Sequence, residues 1–215
     1  MVNAAPDRSD EISTVRAAVE NELEIVSPQR ELLQVIRQEL GDDGVLVSDL
    51  TQLYFAAQDV FAVHKPRTYI QPSYQGTLGH AAATCLGAQV AVGDRPVIGL
   101  AGDGGFMFTV QELATAVQYK IPVTFLVMND GAFGNVKRIL QEDYGDRVIC
   151  ADLQNPDFVK LAESFGMPGR RASTADELRK ALKESIAESG PTLVEYRAPE
   201  FPSPWPLHFR PKVRG

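Results

Sequence analysis

The chain has 215 residues, 44% apolar and 23% charged, the mix of a single globular domain able to bury a core. Its 28 acidic residues against 21 basic ones give a net charge of −7, which argues against a nucleic-acid binder with its basic footprint and for small molecules, metal or protein as partners. No apolar run is long enough to span a membrane, and the polar start, Met1 to Glu11, lacks the apolar stretch of a secretory signal.

Along the chain, Ile12, Val15, Val19, Leu23 and Val26 recur at helical spacing and predict an amphipathic helix. Ser27-Pro28 opens a second helix, with Leu32, Leu33, Ile36 and Leu40 on one face and Gly41 and Gly44 beyond its end. Residues 45–49 read as a short apolar strand, 54–61 as a helix and 67–71 as a strand. Gln75-Gly76-Thr77-Leu78-Gly79 is a glycine-flanked turn leading into a helix rich in small residues. Residues 97–101 and 123–128 are continuously apolar strands, the pattern of a sheet covered on both faces. Helices are expected at 110–119, 157–165 and 175–188, the last capped by Ser173 or Thr174, and a final strand at 192–197. The tail from Pro199 holds five prolines and the single tryptophan, Trp205, and reads as extended. Strands alternating with helices imply an α/β fold, a single doubly wound parallel sheet with helices on both faces in three layers.

Cys85 and Cys150 lie in apolar sequence without metal-type spacing and read as buried free thiols of a reducing cytoplasm. His64, His80 and His208 form no zinc pattern. The chemistry concentrates where two candidate strands end, in Gly102-Asp103-Gly104-Gly105 and Asn129-Asp130-Gly131-Ala132-Phe133-Gly134. If those strands are neighbours, Asp103 and Asp130, 27 positions apart, meet at the carboxyl edge of the sheet, where such folds bind ligands. Two carboxylates beside glycine backbone suit Mg²⁺, which completes its shell with phosphate and water. Gly104 and Gly105 also let backbone N–H groups approach an anion at a helix start. On these residues alone, a metal–diphosphate site stands beside a purely structural reading in which glycines turn the chain and aspartates cap helices.

The wider pattern resembles a known family. Gly102-Asp103-Gly104 followed by Asp130, 26 residues intervening after Asp103, with Pro122 between, is similar to the thiamine-diphosphate (ThDP) fingerprint of a GDG followed by paired asparagines. The similarity is greatest to the C-terminal, diphosphate-binding domain of acetolactate-synthase-like 2-oxoacid decarboxylases and carboligases. Gln75 to Gly79, Gln111-Glu112-Leu113 with Ala116-Val117, Asn155-Pro156-Asp157-Phe158 and Gly190-Pro191-Thr192 fit the same domain. The resemblance covers residues 27–206 and divides the chain into an N-terminal helix and linker (1–26), the ThDP domain (27–198) and the tail (199–215).

The resemblance implies that Asp103, Asp130 and the Ala132 carbonyl ligate Mg²⁺, with Asn129 packed beside the site. Asp130 stands where the family usually has asparagine, which adds negative charge near a diphosphate; a shifted register would make Asn129 the ligand instead. Gly102, Gly104, Gly105, Phe133 and Gly134 are implied to flank the diphosphate, with Thr51 and Gln52 in a second contacting loop. Gly76, Thr77 and Leu78 fall where the aminopyrimidine is held, Leu78 beneath the cofactor. His80 would follow this turn, and Asn135, Val136 and Ile139 occupy a stretch that often carries substrate-contacting groups.

In this family the glutamate that activates the cofactor lies on a separate pyrimidine-binding domain, and residues 1–26 leave no room for one. Glu11, Glu20, Glu22 and Glu24 in that stretch read as a solvated helix face. The implied protein is a cytoplasmic subunit of a 2-oxoacid decarboxylase or carboligase, inactive alone and completed by a pyrimidine-domain subunit, a homo-oligomer partner or both. The alternative is a cofactor-binding or interaction module without turnover. A domain that packs against two others is expected to leave apolar surface uncovered, with the helices after Gly79 and at 110–119 as the candidate faces.

Overall fold

The computed structural model describes residues 7–72 and 74–208, so the outer parts of both terminal segments, 1–6 and 209–215, lie outside the described residues. Strands that are apolar at nearly every position need cover on both sides, and β1 (Val45–Ser48), β3 (Val97–Gly102) and β4 (Thr124–Asn129) have it over nearly their whole length, as does the more polar β6 (Thr192–Arg197). With the short edge strands β2 (Tyr69–Ile70) and β5 (Gly169–Ala172) they form a six-stranded sheet of order β2-β1-β3-β4-β6-β5. Every pairing in it is parallel.

Alternate residues of each strand feed two separate cores. Leu46, Ile98, Leu100, Leu126 and Val194 join α2 (Ser27–Leu40), α3 (Gln52–Val60) and α9 (Ala175–Ile186) on one face. Val45, Val47, Val97, Phe125 and Leu193 join α4 (His80–Val92), α5 (Asp103–Met107), α6 (Glu112–Gln118) and α8 (Phe158–Ser164) on the other. This is the doubly wound, three-layer architecture that the alternation of elements implied. Gly99 permits the contact between α4 and β3, since a Cβ there would lie 2.7 Å from Cys85 Sγ. Burial raises the Cys85 thiol pKa far above its ordinary value. Cys150 departs from expectation: it is exposed, in a loop residue with φ of 55°.

Other departures have local causes. The N-terminal stripe forms a helix, α1 (Ser9–Leu23), followed by a 3₁₀ turn at Glu24–Val26. Only its end reaches the core, through Leu23 and Val26, while Ile12, Val15 and Val19 remain 51%, 61% and 40% exposed. The cap of α9 is Thr174, whose hydroxyl accepts from Glu177 N; Glu177 in turn accepts from the N–H and hydroxyl of Ser173, the residue before the cap, at 2.8 Å each. Three elements were not foreseen: β5, α5 and α7 (Gly134–Asp143). The tail is not extended throughout: Trp205–His208 forms a one-turn helix, α10. Trp205 stacks against Phe55 at 4.7 Å between ring centroids and His208 Nε2 lies 3.0 Å from the Phe55 carbonyl, while Pro206 sits in the first turn, where its missing N–H costs nothing. No described helix is long and apolar enough to cross a membrane.

Candidate functional site

β1, β3 and β4 end side by side at the carboxyl edge of the sheet, and the strand order reverses between β1 and β3. That switch point is where doubly wound sheets leave a crevice, and here the loops at 49–52, 102–105 and 129–134 open onto a cavity of about 280 Å³. Thr51, Gln52, Gly76 and Leu78 line it. So do Gly102, Asp103, Gly104 and Gly105 from the second loop, and Asp130, Ala132, Phe133 and Gly134 from the third. Thr77 and Asn129 are not among its walls: Thr77 is exposed on the turn, and Asn129 is turned toward Glu195. His80 does not reach the cavity either; its Nδ1 lies 3.3 Å from the Thr84 hydroxyl.

Asp103 is 2% exposed. Its Oδ1 accepts from Gly104 N at 2.8 Å, and its Oδ2 from Gly131 N at 2.8 Å and Asn155 Nδ2 at 2.6 Å. Burial raises its pKa, and these hydrogen bonds oppose the rise. Asp130 opens onto the cleft with Oδ1 accepting from Ala132 N at 3.2 Å. The surrounding protein, and then the charge of Asp103, push its pKa up to about 6. Lys137, whose charge acts the other way on Asp130, is committed to Asp152 at 2.6 Å. Two carboxylates held this way repel unless a proton or a cation comes between them. No group of three or more His, Cys, Asp and Glu side chains among the described residues is arranged for a metal. A cation here would therefore draw on two carboxylates, backbone oxygen, ligand and water, which is the chemistry of Mg²⁺ and not of zinc.

The glycines leave backbone bare where an anion would sit. A Cβ on Gly104 would overlap the Phe133 ring, one on Gly134 would lie 2.7 Å from Asp130 Oδ2, and one on Gly105 would lie 3.1 Å from Asp49 Oδ2. Gly134 also begins the ten-residue α7, whose free N–H groups and dipole favour negative charge. Thr51 caps α3 by accepting from Tyr54 N at 3.0 Å, which leaves its hydroxyl hydrogen to donate into the cavity. The residues present thus suit a diphosphate held by a divalent cation.

Supporting residues hold these loops in place. Asp49, fully buried at the end of β1, accepts from Gly79 N, His80 N and Ala81 N at 3.0, 2.9 and 3.3 Å and so fixes the turn carrying Gly76 and Leu78. The segment 151–153 runs against the third loop, with Phe133 N to Ala151 O and Leu153 N to Gly131 O both at 2.8 Å. Asn129 donates to Glu195 Oε1 at 2.8 Å and accepts from Asn155 Nδ2 at 2.9 Å. None of Asp49, Asn155 or Glu195 was singled out by sequence reasoning, although Asn155 lies in one of the recognised stretches. Most of the apolar wall was also missed: Leu50, Phe55 and Met128 line the cavity, as does Phe201 from the tail, whereas Val136, also in the wall, lay in a stretch already named.

A carboxyl-edge cleft in a doubly wound parallel sheet defines the class of α/β ligand-binding domains. Within it, residues 49–196 match the family described as "Thiamine pyrophosphate enzyme, C-terminal TPP binding domain". The chain belongs to that family, as the ThDP-binding C-terminal domain of acetolactate-synthase-like enzymes. It is 34% identical to a probable acetolactate synthase large subunit of Methanococcus aeolicus, over 80% of this chain and 29% of the relative. It is 33% identical to a probable 2-ketoarginine decarboxylase of Pseudomonas aeruginosa, over 77% of this chain and 30% of the relative. Among solved structures it is similar to the ThDP-dependent 4-hydroxybenzoylformate decarboxylase of Rhodococcus jostii RHA1, with a TM-score of 0.75 and 31% identity over 81% of this chain and 33% of that one. The chain thus spans about 30% of the length of the curated relatives it matches.

Proposed function

We propose that this chain binds ThDP through Mg²⁺ as the diphosphate-binding part of a 2-oxoacid decarboxylase or carboligase, completed by a pyrimidine-binding domain on another chain. The observation that carries this reading is the convergence of Asp103 and Asp130 on a cavity walled by bare glycine backbone, in a member of a ThDP-binding family. Asp103, Asp130 and the Ala132 carbonyl hold the cation. Asp130 is favoured over Asn129 because both ends of the Asn129 amide are already committed, to Glu195 and to Asn155. The amides of Gly105 and Gly134 face the diphosphate, with the bare backbone of Gly104 beside them and Thr51 and Gln52 opposite. Gly76 and Leu78 hold the aminopyrimidine side, and Leu50, Phe55, Met128 and Phe201 keep water from the cavity.

When bound, ThDP supplies a carbon nucleophile for the 2-oxoacid carbonyl and a sink for the electron pair released with CO₂. The carboxylates that line the described cavity are both aspartates, which supports an activating glutamate on a partner domain and a chain that does not turn over substrate alone. Homo-oligomerisation in addition to that partner is part of the proposal, as is a cytoplasmic setting, with which the free thiols of Cys85 and Cys150 agree.

Calorimetric titration of the purified chain with ThDP and Mg²⁺ tests the site. Binding is expected to vanish in Asp103→Ala and to survive far better in Asp130→Asn than in Asp130→Ala. Mg²⁺-pyrophosphate should compete with ThDP, and thiamine should not. Undiminished affinity in Asp103→Ala would overturn the site, and equal losses in the two Asp130 variants would point back to Asn129. Native mass spectrometry of the complex purified from its source tests the rest: a second polypeptide bound with the cofactor supports the divided enzyme, whereas a homo-oligomer alone would reduce the protein to a binding module.

A further inference from the structure

Asn155 lies just ahead of α8, 52 positions from Asp103 in sequence, and its side-chain nitrogen reaches Asp103 Oδ2 at 2.6 Å. A carboxylate oxygen offers about two lone-pair sites. Those of Asp103 Oδ2 are filled by Asn155 and by Gly131 N at 2.8 Å, whereas among the described residues Oδ1 takes one hydrogen bond, from Gly104 N. Oδ1 therefore keeps one site open. The second N–H of Asn155 goes to Asn129 Oδ1 at 2.9 Å, and Asn129 Nδ2 goes to Glu195 Oε1 at 2.8 Å. Because carboxylates only accept at neutral pH, Asp103 at one end and Glu195 at the other fix the sense of both amides. Neither amide can flip without setting acceptor against acceptor.

The chain of bonds is anchored in the sheet. Glu195 is 2% exposed in β6, and its Oε2 takes Arg171 at 2.7 Å. Arg171 also binds Asp157 at 2.7 Å, and Asp157 caps α8 through Val159 N and Lys160 N. Asn155 is thus gripped by its own two donors and through Asp157 two residues on.

We infer that Asn155 is a positioning residue that presents Asp103 Oδ1 to the cation and, through Asn129, holds the loop carrying Asp130 and Ala132 in register. This inference rests on the Mg²⁺–ThDP reading of the site. It predicts that replacing Asn155 weakens the cation's hold without changing the fold, since outer partners of metal ligands commonly tune affinity by about 10- to 100-fold.

The test is Asn155→Asp in the full chain, which keeps the shape and turns both donors into acceptors facing Asp103 and Asn129. At fixed ThDP, the Mg²⁺ concentration for half-saturation should rise at least about tenfold. The cofactor-free variant should still unfold in one cooperative transition, and ThDP affinity at saturating Mg²⁺ should recover. In the cofactor-free chain, amide hydrogens of residues 129–134 should exchange faster with deuterium. A wild-type Mg²⁺ requirement, or a loss that persists at saturating Mg²⁺, would overturn the inference. If Asn155→Asp does not fold, Asn155→Ala is read in the same way, and failure of both to fold would overturn it by making Asn155 an architectural residue. Failure of the wild-type chain to bind ThDP with Mg²⁺ would count against the proposed function instead. The exchange measurement then still decides whether Asn155 holds the loop, and unchanged exchange would overturn the inference.

Discussion

At Gly104 the backbone passes beneath the Phe133 ring, and a methyl group there would overlap that ring and come within 2.9 Å of Leu153 Cδ1. Glycine is a poor choice inside a helix, and alanine in its place ordinarily gains up to about 1 kcal/mol. Here that gain is opposed by overpacking, which costs about 1–3 kcal/mol. Moving the Phe133 ring aside would disturb its stacking on Phe108, 6.4 Å away between ring centroids. Gly104→Ala is therefore expected to change stability by no more than about 2 kcal/mol, the difference of those two terms. Its larger effect should fall on ThDP affinity, lowered at least tenfold, because the displaced ring and the new methyl both intrude where the diphosphate approaches. Urea unfolding of the cofactor-free variant and calorimetric titration separate the two effects. Unchanged affinity would remove Gly104 from the diphosphate wall.

Among the elements, α4 depends on a cap outside itself. It begins at Gly79 in the left-handed region with no side-chain cap of its own, and its first N–H groups are satisfied by Asp49, about 30 positions earlier. Asp49→Ala would strand buried donors and is expected to cost about 2–4 kcal/mol, the sum of a lost cap and unsatisfied amides, measured by urea unfolding. Burial raises the Asp49 pKa above 3.8, so the folded state holds its proton more tightly than the unfolded chain. The stability linked to this group is fully present below pH 3.8 and is lost as pH rises through the raised folded value. The difference between wild type and Asp49→Asn should therefore fall from acid toward neutral pH; a flat difference would refute the shift. Such long-range bonds also mark what the sequence could not disclose. The strands β1, β3 and β4 were legible as apolar runs, β6 as a final strand at 192–197, and Asp103 with Asp130 as a spaced pair at two strand ends. β5 was not, because Gly169-Arg170-Arg171-Ala172 is polar and becomes a strand only by pairing with β6. α7 buries no residue, so no core-facing periodicity announced it. Asn155 and Glu195 act through partners 52 and 66 positions away, and nothing local in their neighbourhoods specifies those partners.

For the molecule as a whole, uncovered apolar surface lies partly where expected and partly elsewhere. Val90 of α4 and Tyr119 at the end of α6 are 72% and 68% exposed, as anticipated for those helices. The α1 stripe and the residues beside the cleft, Phe108 at 60% and Val136 at 52%, were not anticipated. A cleft with an open apolar rim holds only the diphosphate end of its cofactor firmly, so binding energy should come chiefly from the cation and the phosphates. A ligand that binds only the folded state adds about 2.7 kcal/mol at 100 times its dissociation constant. For a domain of this size each kcal/mol is worth about 2–4 °C in Tm, so ThDP with Mg²⁺ at that excess should raise Tm by about 5–11 °C. Because the two carboxylates repel until a cation joins them, neither ThDP nor Mg²⁺ alone should give this shift, and EDTA should return the protein to its cofactor-free Tm. Mg²⁺-pyrophosphate should reproduce most of the rise and thiamine none of it, while Asp103→Ala should be insensitive to all of them. A full shift with ThDP in the presence of EDTA would mean that the glycine backbone and α7 hold the diphosphate unaided, and that Asp103 and Asp130 shape the loops without ligating a metal.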